Sequence, residues 1–190
     1  MSKTAVKNPC KVITGPKTIF SYLNVNEPKV PLGGGTPKYS VSLIIPKSDT
    51  VTFNKIQNAI KAAYEEGQGK LRGTGKAVPA LEDIKLPLRD GDKKGDDAYK
   101  GSWYINANST TKPGVVDADR QPILESSELY SGIIGRASIT LYAFNTNGNR
   151  GIAAGLNNLQ KLSDGTPLGG HSRAEDDFAN LDDDGDDFLD

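Results

Sequence analysis

Ile133–Phe144 (IIGRASITLYAF) decides the fold class. Ile133, Ala137, Ile139, Leu141 and Ala143 are small or aliphatic and share the odd positions, while Arg136, Ser138, Thr140, Tyr142 and Phe144 share the even ones. A period of two sustained over this length marks a strand with one face in a core and the other toward solvent. The next stretch, Asn145-Thr-Asn-Gly-Asn149, contains the Asn-Gly pair that favours a tight hairpin. Gly151–Leu162 then reads as the returning strand.

The same period recurs upstream. Lys17–Val25 (KTIFSYLNV) sets Ile19, Leu23 and Val25 against Thr18, Phe20, Tyr22 and Asn24. Lys38–Ile45 (KYSVSLII) sets Tyr39, Val41, Leu43 and Ile45 against Lys38, Ser40 and Ser42. Gly33–Gly35 and Pro37 supply the turn between them. In Tyr99–Asn108 (YKGSWYINAN), Tyr104 shares the face of Asn106 and Asn108, opposite Trp103 and Ile105. One helix interrupts the strands: Phe53, Ile56, Ile60 and Ala63/Tyr64 recur at helical spacing, Asp49 to Thr52 offer caps, and Gly67 ends it. Residues 67–98 read as a long, partly mobile insertion around a short apolar segment, Leu81–Leu88, and a helical turn is expected around Glu125–Tyr130. Five strands, one helix and uneven loops fit a mainly β chain: a five-stranded barrel of the oligonucleotide-binding type, with a β-sandwich as the alternative. The expected division is a binding domain over 1–170 and a disordered acidic tail over 171–190.

The chain has 190 residues, 36% of them hydrophobic, enough for one core. No run approaches the roughly 18 apolar residues of a membrane helix, and the N-terminal stretch has no apolar segment that would make a secretory signal. A single cysteine, Cys10, excludes a disulfide framework, and a single histidine, His171, excludes a His-rich metal site. Gly75-Lys76 is followed by Ala77, so there is no P-loop, and Gly73-Thr-Gly75 does not continue into a dinucleotide fingerprint. A calcium loop begun at Asp90 would place Lys94 at its fifth position and Gly101 at its twelfth, where acids are needed. The expectation is therefore no catalytic residue, no metal, no cofactor and no enzyme activity.

Charge supplies the positive signal. Of the 24 acids, nine lie between Ala174 and Asp190, where there is no base, which leaves 15 against all 23 Lys and Arg in residues 1–173, a net of +8. A basic body with an acidic tail is the asymmetry of a polyanion-binding surface joined to an interaction segment. Single-stranded nucleic acid asks for aromatic rings on which bases stack and cations that follow the phosphates. The candidates on the non-aliphatic faces are Phe20, Tyr22, Tyr104, Arg136, Tyr142 and Phe144. Lys17, Lys38, Lys100, Arg150 and Lys161 are the candidate phosphate contacts. The competing reading of the aromatics is that they complete a core or a dimer contact.

The stretches Glu128-Leu-Tyr-Ser-Gly132, Gly135-Arg-Ala-Ser-Ile139, Gly151-Ile-Ala-Ala-Gly-Leu-Asn-Asn-Leu-Gln-Lys161, Pro167-Leu-Gly-Gly170 and Ala174-Glu-Asp-Asp-Phe178 resemble a family of tailed-phage single-stranded DNA-binding proteins. The resemblance implies an oligonucleotide-binding fold and a sequence-nonspecific role in phage replication or recombination, in the host cytoplasm and without membrane attachment. The ending Asp187-Phe-Leu-Asp190 is similar to tails that recruit replication enzymes. By that resemblance Asp182, Asp183, Asp184, Asp186, Asp187, Phe188, Leu189 and Asp190 would meet a polymerase, helicase or primase. A strand-annealing or mediator protein, a structural phage protein without DNA affinity, and a homodimer remain open alternatives.

Overall fold

The structure, a computed structural model, describes residues 7–168. It contains β1 (Lys11–Ile13), β2 (Thr18–Lys29), β3 (Lys38–Pro46), α1 (Thr50–Glu66), α2 (Gln68–Arg72), β4 (Leu88–Asp90), β5 (Ser102–Ser109), β6 (Gly114–Val116), β7 (Ile134–Thr146) and β8 (Asn149–Ser163). The pairings β7–β2, β2–β3, β3–β5, β5–β8 and β8–β7 close on themselves, so five strands form a ring. Only β5–β8 is parallel within that ring. This is the barrel expected, mainly β with one main helix. The three-residue strands β1, β4 and β6 attach to β7, β5 and β8.

The β7–β8 hairpin turns at Asn147 and Gly148, both with positive φ (52° and 85°). Those are the angles of a type I′ turn, whose twist matches the strands it joins. The barrel interior takes Val41, Leu43 and Ile45 from β3, Ile105 and Ala107 from β5, and Ala137, Ile139 and Leu141 from β7. Asp49 caps α1 by accepting the Thr52 N–H at 3.1 Å. The helix then lays Ile56, Ala59, Ile60 and Ala63 into the same core. Where it ends, a Cβ on Gly67 would collide with that of Ala143, so glycine lets the helix terminus meet the sheet. Residues 67–98 hold more order than a loop: α2, β4 and 3₁₀ turns at Leu81–Asp83 and Gly91–Lys93 lie there.

One expectation reverses. Phe20 is completely buried inside the barrel instead of lying on its outer face. The cause is a bulge. Ser21 pairs with Ser42 and Asn24 with Ser40, so β2 carries one residue more than β3 across this interval. Tyr22 sits in that bulge with φ of 45°. The extra residue puts Phe20 in phase with Leu23 and Val25, and turns Ile19 outward into a second apolar cluster with Ile44, Tyr99 and Tyr104.

Candidate nucleic-acid interface

Register builds the outer face of β2, β3 and β5 in rows. Ile19, Ile44 and Tyr104 are cross-strand partners in one row, and Ser42 lies between Ser21 and Asn106 in the next. In a third, Asn24 pairs with Ser40 and Ser40 with Asn108, which is level with Gly155 of β8. Side chains two apart on a strand share a face, so a polar floor of hydroxyls and amides adjoins an aromatic end. Amides and hydroxyls can both donate and accept hydrogen bonds, which suits contacts to bases of any identity.

The segment Gly91–Gly101 lies over the aromatic row. Tyr99 is fully buried there, edge-on to Tyr104 with ring centroids 5.1 Å apart, and its hydroxyl is 3.0 Å from Ser42 Oγ. Lys47 fastens the start of the segment to the end of β3, its Nζ 2.8 Å from Asp90 and 2.6 Å from Asp92. These hydrogen bonds raise the Lys47 pKa. The Lys47 bonds lower that of Asp90, while Asp92 is lowered first by the Gly101 N–H it accepts and then by Lys47. Tyr22 stands beside this covered end, 58% exposed. Bulges commonly re-aim a side chain in this way.

The remaining candidates are distributed as follows. Tyr104 is on the outer face but beneath Tyr99 and Lys94, and only 8% exposed. Lys38 is the register partner of Lys29 where β2 and β3 meet the Val30–Pro37 loop. Lys17 is exposed ahead of β2, and Lys100 is exposed but paired with Asp97 at 2.7 Å. On the outer wall of β7 and β8, Tyr142 is 42% exposed and lies over Gly155, and Phe144 lies half-buried over Gly151. Arg136 is exposed, its Nε held 2.9 Å from Gln160 Oε1. Arg150 is half-buried beside the hairpin, its Nε buried without a hydrogen-bond partner.

Lys161 is not the free surface cation expected of it. It is buried, with Nζ 2.7 Å from both Glu128 Oε2 and Asp164 Oδ1 and 2.9 Å from the Glu128 carbonyl oxygen. Burial works against its charge, but the two carboxylates outweigh burial and its pKa ends raised. Its charge is spent inside the protein. The acidic tail residues from Asp182 to Asp190 lie outside the described residues. Among the described residues no three His, Cys, Asp or Glu side chains cluster to hold a metal, and no helix is long and apolar enough to cross a membrane.

A closed five-strand ring, a polar and aromatic outer face and a surplus of cations define a nucleic-acid-binding barrel of the oligonucleotide-binding class. The family model described as Enterobacter phage Enc34, ssDNA-binding protein, matches residues 10–189. The chain belongs to this family of phage single-stranded DNA-binding proteins, which are not enzymes. A putative protein, p50, of Acyrthosiphon pisum secondary endosymbiont phage 1 is 31% identical over 147 residues, covering 76% of this chain and 79% of its own. Among solved structures, the single-stranded DNA-binding protein of bacteriophage Enc34 in complex with ssDNA has a TM-score of 0.68 at 25% identity, covering 84% of this chain and 90% of that one. The gp2.5 single-stranded DNA binding protein of bacteriophage T7 has a TM-score of 0.56 at 16% identity over 88% of this chain and 91% of its own, a likeness of fold.

Proposed function

We propose that the chain coats single-stranded DNA during phage replication and recombination in the host cytoplasm, with little preference for base sequence, and that its acidic tail recruits replication enzymes. The observation that carries the binding mode is the outer face of β2, β3 and β5, where Asn24, Ser40, Asn106 and Asn108 floor a surface bounded by exposed Tyr22 and by Lys38. Tyr142 and Arg136 on the adjoining wall extend the path. Stacking on tyrosine does not discriminate among bases, and amides accept any base edge, so strandedness and not sequence is read. For the tail, the support is that the family match runs through residue 189 and that the run from Ala174 onward carries nine acids and no base.

Titration with oligo-dT against a duplex of the same length tests the reading. Neutralising about four to six phosphates gives a log–log salt slope near −3 to −4, at about 0.7 per contact on a single strand. Tighter binding to the duplex would refute it. Mixing the full chain with the phage polymerase or helicase, with and without residues 174–190, tests recruitment.

A further inference from the structure

The side-chain amine of Lys94 lies over three tyrosines at once, 4.9 Å from the ring centroid of Tyr99, 5.2 Å from Tyr104 and 5.7 Å from Tyr22. Its own segment is rich in acids, yet each is committed elsewhere. Asp90 and Asp92 take Lys47, Asp97 takes Lys100, and Asp96 accepts the Ala98 N–H at 3.0 Å to cap its own turn. Lys94 is exposed and has no carboxylate within salt-bridge distance among the described residues. A cation over ring faces is attracted to their negative quadrupoles but keeps its full charge for an anion.

Its position is also fixed. Tyr99 anchors the segment by complete burial and by the contact to Ser42, while Asp92 accepts the Gly101 N–H at 2.7 Å and ties the two ends together. At Gly91 any side chain would strike the carbonyls of Tyr99 and Ser102, so the close turn requires glycine. The segment is a strap, tied at both ends, that holds one ammonium beside the exposed ring of Tyr22.

The geometry points to Lys94 and Tyr22 as a single-nucleotide clamp: the phosphate meets Lys94 while the attached base stacks on the open face of Tyr22. Tyr99 and Tyr104 are the platform that positions Lys94 and do not touch the base. This deepens, and rests on, the single-strand reading above. Pre-placing the charge lowers the ordering cost of the contact, since a free lysine side chain would have to be immobilised on binding.

The test uses the full chain and fluorescently labelled oligo-dT, with a parallel oligonucleotide of abasic sites as the probe lacking bases. Lys94→Gln should weaken binding to both probes and flatten the salt slope by about 0.7, the share of one phosphate. Lys94→Arg should restore the slope. Tyr22→Ala should weaken binding to oligo-dT about 5-fold or more, within the range of one lost stack, and leave the abasic probe unaffected. Lys61→Gln, on the exposed side of α1, is the control for loss of charge alone. Equal slopes for Lys94→Gln and Lys61→Gln, or a Tyr22→Ala loss that persists on the abasic probe, overturn the clamp while leaving single-strand binding intact. Failure of the unaltered chain to bind oligo-dT overturns the reading beneath it. Matching thermal midpoints confirm that the exposed variants compared are folded.

Discussion

Phe20 and Tyr22 stand two residues apart in one strand, where side chains ordinarily share a face, yet Phe20 is wholly inside the barrel and Tyr22 is 58% exposed. The extra residue between Ser21 and Asn24 produces the contrast. It makes one ring a core element and the other available to a ligand. Phe20→Ala should therefore cost about 3–5 kcal/mol of stability, the cost of emptying a core phenylalanine site. Tyr22→Ala should change stability by about 0.5 kcal/mol or less, as for an exposed side chain, and lower single-strand affinity instead. Denaturant midpoints and oligo-dT titrations on the two variants separate the effects. A stable Phe20→Ala protein with weakened binding would contradict the burial.

The bulge also marks the limit of what can be read from residue order. Alternation in Ile133–Phe144 placed Ala137, Ile139 and Leu141 inside correctly, because β7 keeps that inside–outside phase throughout. The Asn-Gly hairpin and the helix capped by Asp49 were legible for the same reason: their determinants lie within a few residues. The place of Phe20 is not legible this way, because the phase of β2 depends on how it pairs with β3, which no local pattern records. The compensation of Lys161 is only half local: Asp164 lies three residues on, but Glu128 comes from 33 residues earlier. In the residue order Lys94 is only the lysine that spoils a calcium loop begun at Asp90. Its meaning comes from Tyr22 and Tyr104, brought beside it by separate strands.

Lys161 should behave as a structural cation. Lys161→Gln removes partly buried hydrogen bonds to a carbonyl and two carboxylates, at a cost of about 1–3 kcal/mol. It should leave the salt slope of DNA binding unchanged, because its charge is already compensated. A flatter slope in a folded Lys161→Gln protein would place it on the phosphate path after all.

Cys10 gives a pH signature. Burial, followed by its hydrogen bond to Glu66 at 3.3 Å, raises the thiol pKa from 9.0 to about 11. The unfolded chain then loses this proton first, so the contribution is complete below pH 9.0 and is lost as pH rises toward 11. Cys10→Ala should flatten that part of the stability profile, measured by urea unfolding between pH 8 and 11. An unchanged profile would mean that the thiol ionises equally in both states.

The last expectation joins the described fold to the acidic tail. The Leu168 N–H donates to the Ser131 carbonyl at 2.9 Å, and Ser131 Oγ accepts the Leu23 N–H at 3.0 Å. The chain therefore passes beside the bulge that presents Tyr22, with nine carboxylates still to come between Ala174 and Asp190. A polyanion tethered this close to Tyr22 and Lys94 would meet them at an effective concentration on the order of millimolar. It should compete with DNA for the same cations. Truncation after Arg173 should then raise oligo-dT affinity, most at low salt, where exposed charges are least screened. The same truncation should abolish stimulation of the phage polymerase or helicase. Phe188→Ala should impair only the stimulation, since it removes an apolar anchor and no charge. Equal affinities for the full and truncated chains at low salt would show that the tail does not contest the DNA-binding face.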